Sequence, residues 1–168
     1  MTKKRKQNRK NELSKKRSVE SIRFQTHIGL KQIGRKDTDM FHWLADVEIN
    51  VIAELDLTDD ILGIKNLVEG VKRALNVEPA LEKGDFCTSI VAIALGISKI
   101  PVLDDMQMPV VNWPDHINKK LLTLYYPEES RNAVAEWAKA NDYNTSTYLG
   151  RPVVKFKQLF IIIERTRT

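Results

Sequence analysis

Residues 120–163 read KLLTLYYPEESRNAVAEWAKANDYNTSTYLGRPVVKFKQLFIII, and the way this stretch folds decides the architecture. Lys120–Tyr126 (KLLTLYY) has the aliphatic and aromatic content of a strand. Pro127-Glu128-Glu129 then opens a helix with acids in its first turn, running to about Ala140, with Ala133, Val134, Trp137 and Ala138 as its apolar face. Leu149-Gly150 reads as a hairpin turn, and Val153 to Ile163 as one long β-branched and aromatic strand. This is a β-α-β segment, and it is the preferred reading.

A second arrangement of the same residues competes with it. Ala138 to Tyr148 resembles the helix-turn-helix pattern, with Asp142 standing where that pattern has its turn glycine. The resemblance implies a recognition helix from Asn144, cut to about two turns by Gly150 and Pro152, and a basic wing over Val153–Ile163 carrying Lys155 and Lys157. In the β-α-β alternative Tyr148, Arg151, Lys155, Phe156 and Lys157 mix basic and aromatic character, as single-strand-binding surfaces do. Either way the segment offers a basic face.

Upstream, the periodicity predicts mostly helix. Ile22, Phe24, Ile28 and Leu30 fall on alternate positions and predict a short strand over 21–30, followed by a loop at Gly34-Arg35-Lys36. Thr38-Asp39 then caps a helix with Met40, Phe41, Leu44, Val47, Val51, Ile52 and Leu55 on one side. Residues 47–57 also alternate, but the uninterrupted run over 37–57 is long for a strand. Glu48 falls on the apolar arc of that helix, where it must pair, snorkel to the edge or change its pKa; snorkelling is the expected outcome. Thr58-Asp59-Asp60 starts the next helix, whose face is Ile61, Ile64, Val68, Val71 and Leu75; Asn76 and Pro79 stop it. Residues 86–95 (FCTSIVAIAL) predict a buried central helix ending at Gly96. Pro101–Pro114 is irregular, with three prolines. The expected organisation is an arm over 1–20 and one α+β domain over 21–168: a mostly helical N-terminal two-thirds, then the β-α-β or winged-helix-like segment.

The charge is unevenly laid out. The 168 residues hold 27 Lys/Arg against 22 Asp/Glu, a net charge of +5. Residues 1–17 carry nine of those cations and one Glu, residues 145–168 carry five cations and one Glu, and the stretch between is net acidic. In MTKKRKQNRKNELSKKR only Met1 and Leu13 are apolar, too few to offset the cost of ordering a backbone, about 1–2 kcal/mol per residue. A disordered basic arm is expected. Its cations Lys3, Lys4, Arg5, Lys6, Arg9, Lys10, Lys15, Lys16 and Arg17, with Arg151, Lys155 and Lys157 from the other end, are the candidate nucleic-acid-binding residues, acting through counterion release from phosphates. Lys3-Lys4 and Lys15-Lys16-Arg17 also resemble a bipartite nuclear-import signal.

Several chemistries lack their residues. One cysteine excludes a disulfide scaffold and a cysteine-based zinc site. The longest uncharged run, 86–98, is short of the ~20 residues a membrane span needs, and no apolar stretch follows the basic start as in a secretory signal. Seven isolated glycines form no phosphate-cradling loop. His27, His42 and His116 are scattered; His42 and Asp46 are spaced to pair on one helix face. Cys87 lies in the most apolar run and is expected to be an inert core thiol. The Pro-flanked loop places Asp104, Asp105, Trp113 and His116 together as candidate partner-binding residues. The expectation is an intracellular, non-enzymatic, nucleic-acid-associated accessory protein (cytoplasmic or nucleoid, nuclear in a eukaryotic host) with no metal and no cofactor. A protein–protein adaptor or inhibitor acting through the acidic body and the 104–116 loop is the alternative, and a small enzyme the third choice.

Overall fold

The fold is that of a computed structural model describing residues 2–33, 39–80, 84–87, 89–98 and 120–166. The loops read at 34–36 and 101–114 therefore lie outside the described residues, as do Asp104, Asp105, Trp113 and His116. The elements, in chain order, are α1 (Lys3–Gln32), α2 (Asp39–Glu54), α3 (Thr58–Leu75), the short α4 (Ile90–Ala94), β1 (Leu121–Tyr126), α5 (Arg131–Ala140), β2 (Asn144–Tyr148), β3 (Arg151–Lys155) and β4 (Phe160–Arg165). The protein is mixed α+β: helices first, then one four-stranded sheet ordered β1-β4-β3-β2.

The segment read as a strand at 21–30 is helix, the second half of α1. Its buried positions are Ile22, Thr26, Gly29 and Leu30, spaced for one helix face, whereas Phe24 and Ile28, which made the alternation, point outward. A glycine and a threonine carry half of the buried stripe, so the pattern of large apolar residues misled. Gly29 is there for closeness: a Cβ on it would sit 1.9 Å from the carbonyl oxygen of Ala94, so α1 packs directly on the backbone of α4. The basic stretch expected to be irregular continues this helix back to Lys3, with every residue from 2 to 17 exposed.

Helix α2 forms as expected, but its inward face is Phe41, Ala45, Glu48, Ile49 and Ile52, rotated from the arc read in the sequence; Met40, Val47 and Leu55 are exposed. Helix α3 follows the sequence closely, with Ile61, Ile64, Val68 and Val71 buried and Asn76 stopping it in the left-handed conformation at φ 54°. It also joins the two layers. A Cβ on Gly70 would meet Trp137 of α5 at 2.4 Å. The apolar run 86–95 yields only five helical residues; Phe86 and Cys87 lie in the preceding turn, and Ser89 caps α4 by accepting from the Ala92 N–H at 3.0 Å.

The C-terminal reading resolves in favour of β-α-β, followed by a further hairpin. Residues 144–148 form strand β2, which rules out the recognition helix. Asp142 does take the left-handed conformation (φ 66°), but it leads from α5 into a strand. The expected long strand 153–163 is two strands, β3 and β4, antiparallel and joined by a turn in which the Phe156 N–H donates to the Leu159 carbonyl at 2.8 Å. Helix α5 starts at Arg131, four residues after Pro127, and buries Val134 and Ala138; Ala133 is exposed. Strand β1 pairs in parallel with β4 and β2 antiparallel with β3. Leu122, Leu124, Tyr126, Val154, Ile161 and Ile163 turn one face of the sheet into the core shared with α1, α2 and α3.

Candidate nucleic-acid interface

The cations of α1 are arranged by helical geometry. At 100° per residue, Lys3, Lys6, Lys10 and Arg17 fall within one narrow stripe, about 21 Å long at 1.5 Å per residue. The buried residues Ile22, Thr26 and Gly29 define the opposite side, so the stripe faces away from the body. Of the nine cations over 3–17, only Lys15 has a carboxylate of a described residue within reach, Asp56 at 3.6 Å. The other eight keep their charge for solvent or a ligand.

The C-terminal cations behave differently, and they do not cluster as one face. Lys157 lies in the β3–β4 turn, with its ammonium 2.7 Å from the Asp59 carboxylate of α3. This hydrogen bond, more than the general field of nearby acids, raises the lysine's pKa above its ordinary value. The same turn is fastened by Asp60, whose carboxylate accepts from the backbone N–H groups of Lys157, Gln158 and Leu159 at 3.1, 2.8 and 2.9 Å. Arg151 and Lys155 sit at opposite ends of β3. Lys155 lies 5.5 Å from the centre of the Phe160 ring, a cation–π contact, and Arg151 Nε meets Glu164 at 3.1 Å.

Three residues that the sequence did not single out, Tyr125, Arg131 and Glu164, gather near Arg151. Register places Tyr125 beside Glu164 and Tyr148 beside Arg151, and the start of α5 brings in Arg131. Tyr125, Arg131, Arg151, Glu164, Arg165 and Thr166 line a cavity of about 500 Å³ at the end of the sheet. Arg131 and Arg165 are 34 residues apart, and only the parallel pairing of β1 with β4, which no local pattern announces, brings them together.

The other candidates are structural. Glu48 is completely buried and neither snorkels nor strays to an edge; its carboxylate accepts from the Ser89 hydroxyl and from the Ile90 N–H at 3.1 Å, tying α2 to the start of α4. Asp46 does not take His42 as partner. It accepts from His27 Nε2 at 2.8 Å and faces Arg23 Nε at 3.5 Å, while the Nδ1 atoms of His27 and His42 meet each other. The two imidazole planes are within 6° and their centres 4.7 Å apart. With the nitrogens in contact, the rings must lie edge to edge in one plane. Among the described residues no group of three His, Cys, Asp or Glu side chains is arranged to hold a metal ion. Cys87, the single cysteine, is half-buried in its turn rather than sealed in a helix. No helix among the described residues is long and apolar enough to cross a membrane. Compared with known protein families, curated proteins and solved structures, the chain matches none of them.

Proposed function

We propose that this is a non-enzymatic, intracellular accessory protein that associates with nucleic acid, in the cytoplasm or on the chromosome, through the basic half of α1. One observation carries the reading: eight cations over residues 3–17 have no acidic partner among the described residues, and four of them form a stripe on the side of α1 turned away from the body. Phosphates spaced along a strand or duplex suit such a stripe, and release of their counterions supplies the affinity without reading sequence. Replacing Lys3, Lys6, Lys10 and Arg17 together by Gln is expected to flatten the log–log salt dependence of oligonucleotide binding by about 3.6 for a duplex or about 2.8 for a single strand. Filter binding across roughly 50 to 300 mM salt measures it. Wild-type binding that ignores salt over this range sinks the proposal.

A second reading, a protein–protein adaptor, draws support from α1 and α2. Phe24, Met40 and Trp43 are 67, 55 and 63% exposed, an unusual outlay of large apolar surface on adjacent helices. Trp43→Ser with unchanged nucleic-acid binding but loss of a co-purifying protein would favour it.

A further inference from the structure

We infer that the cavity at the end of the sheet is a phosphate-monoester site, through which the protein distinguishes a phosphorylated strand end or free nucleotide from internal phosphodiesters. The inference rests on the nucleic-acid reading and deepens it. Three arginines, Arg131, Arg151 and Arg165, share the lining with one acidic residue, Glu164. That carboxylate is already committed: one oxygen accepts the Arg165 backbone N–H at 2.9 Å and the other takes Arg151 Nε at 3.1 Å. It thus positions the guanidinium of Arg151 and leaves its two terminal nitrogens for a ligand. Arg165 reaches Glu128 only loosely, at 3.9 Å, and Arg131 makes no ion pair with any described residue. The lining therefore holds a surplus of two positive charges.

A phosphate monoester carries a charge of about −1.5 to −2 at pH 7 and presents three terminal oxygens. An internal phosphodiester carries one charge and two free oxygens. The surplus, and donors arriving from three separate elements, suit the former, because planar guanidinium forks bind such oxygens in pairs. The Tyr125 hydroxyl in the same lining can donate to the remaining oxygen.

The test compares one oligonucleotide with a 5′-phosphate, a 3′-phosphate or hydroxyls at both ends, titrated into the full chain at fixed salt. Binding of at least one phosphorylated form about tenfold tighter than the hydroxyl form is expected. Arg131→Gln and Arg165→Gln should each erase that difference while leaving the hydroxyl form's affinity nearly unchanged. Inorganic phosphate and a nucleoside monophosphate serve as competitors: removal of the tenfold advantage by both places recognition on the phosphate itself, and removal by the monophosphate alone assigns the site to a nucleotide. Equal affinities for all three oligonucleotides, with no competition by either small anion, overturn the inference. The salt-dependent binding of the α1 stripe would then stand untouched. Salt-insensitive binding of the hydroxyl form by the wild type, by contrast, with the phosphorylated form's advantage and its competition by phosphate intact, breaks the parent reading and spares this one. A thermal melt confirms that the arginine variants fold.

Discussion

The chain is basic at both ends, and the two ends hold their cations in opposite ways. At the C-terminal end Lys157 is bound by Asp59, Arg151 by Glu164, and Lys155 lies against Phe160. At the N-terminal end eight of the nine cations over 3–17 meet no carboxylate of a described residue, and nothing beneath them is buried. Similar compositions thus give one end where acids of the fold hold Lys157 and Arg151, and one where eight cations meet no such acid. Charge counted along a sequence measures supply. Availability depends on which acids the fold brings alongside.

The largest effect is expected where the anchored end is fastened. Asp60 is 1% exposed and its carboxylate holds three consecutive backbone N–H groups of the β3–β4 turn. Asp60→Ala leaves those donors without an acceptor, one of them on the fully buried Leu159. The expected loss of stability is about 3–5 kcal/mol, by analogy with breaking a buried charged network. Asp60→Asn keeps one acceptor oxygen and should lose less. Urea unfolding measures both, and a loss under about 1 kcal/mol for the alanine variant would show that the turn does not depend on this carboxylate.

That turn also shows where sequence reading stops. Phe156-Lys157-Gln158-Leu159 contains no glycine or proline, so an apolar run broken there looks continuous. The residue that breaks it lies 97 positions upstream, on α3. Glu48 is a similar case, since its partner Ser89 is 41 residues away and burial without that partner looked untenable. Helix α3 was readable because its apolar face and its stop at Asn76 are local, although the expected cap does not form: Leu57 holds that position, with no side-chain cap hydrogen bond. Strand β1, helix α5 and the hairpin turn at Leu149-Gly150 were readable for the same reason. The packed half of α1 was misread because Thr26 and Gly29 hold positions where a pattern search expects large side chains. The stripe on α1 was visible as charge but not as geometry, and the arginine cavity depends wholly on the register of distant strands.

The second contrast to test is internal to α1. Residues 18–32 are nucleated by packing on α2, α3 and α4, and the basic half propagates from them. Lys, Arg, Gln and Leu favour helix. The first turn, however, carries only cations and no acid, against the helix dipole. Amide exchange should therefore report opening free energies of about 0–1 kcal/mol over 4–14, against values near the global stability for Leu30 and for Ile161–Ile163. Added phosphate polyanion should slow exchange in the basic half alone. Uniform protection along the whole helix would mean that the unpaired end is held by something other than propagation.

The smallest effect sits where the two ends meet. Asp59 accepts from the Lys157 ammonium at 2.7 Å and from the Ser18 hydroxyl of α1, also at 2.7 Å. These two hydrogen bonds, that from Lys157 foremost, hold its carboxyl below the ordinary 3.8. A depressed carboxylate stabilises the fold above its unfolded pKa, and the contribution is lost as pH falls through the folded value. The lysine's raised pKa gives the mirror case: its share is complete below 10.5 and disappears as pH climbs through the folded value above it. Between these limits the pair should be flat with pH. Both side chains are well exposed, 72% for Lys157 and 43% for Asp59, so solvent screening keeps their coupling to about 0.2–1 kcal/mol. A double-mutant cycle with Asp59→Asn and Lys157→Met at pH 7 measures it. The coupling should shrink with added salt and vanish once Asp59 is protonated. If it survives acid unchanged, the turn is held there by packing of the lysine stem, and the C-terminal cation is as free for an outside anion as those of α1.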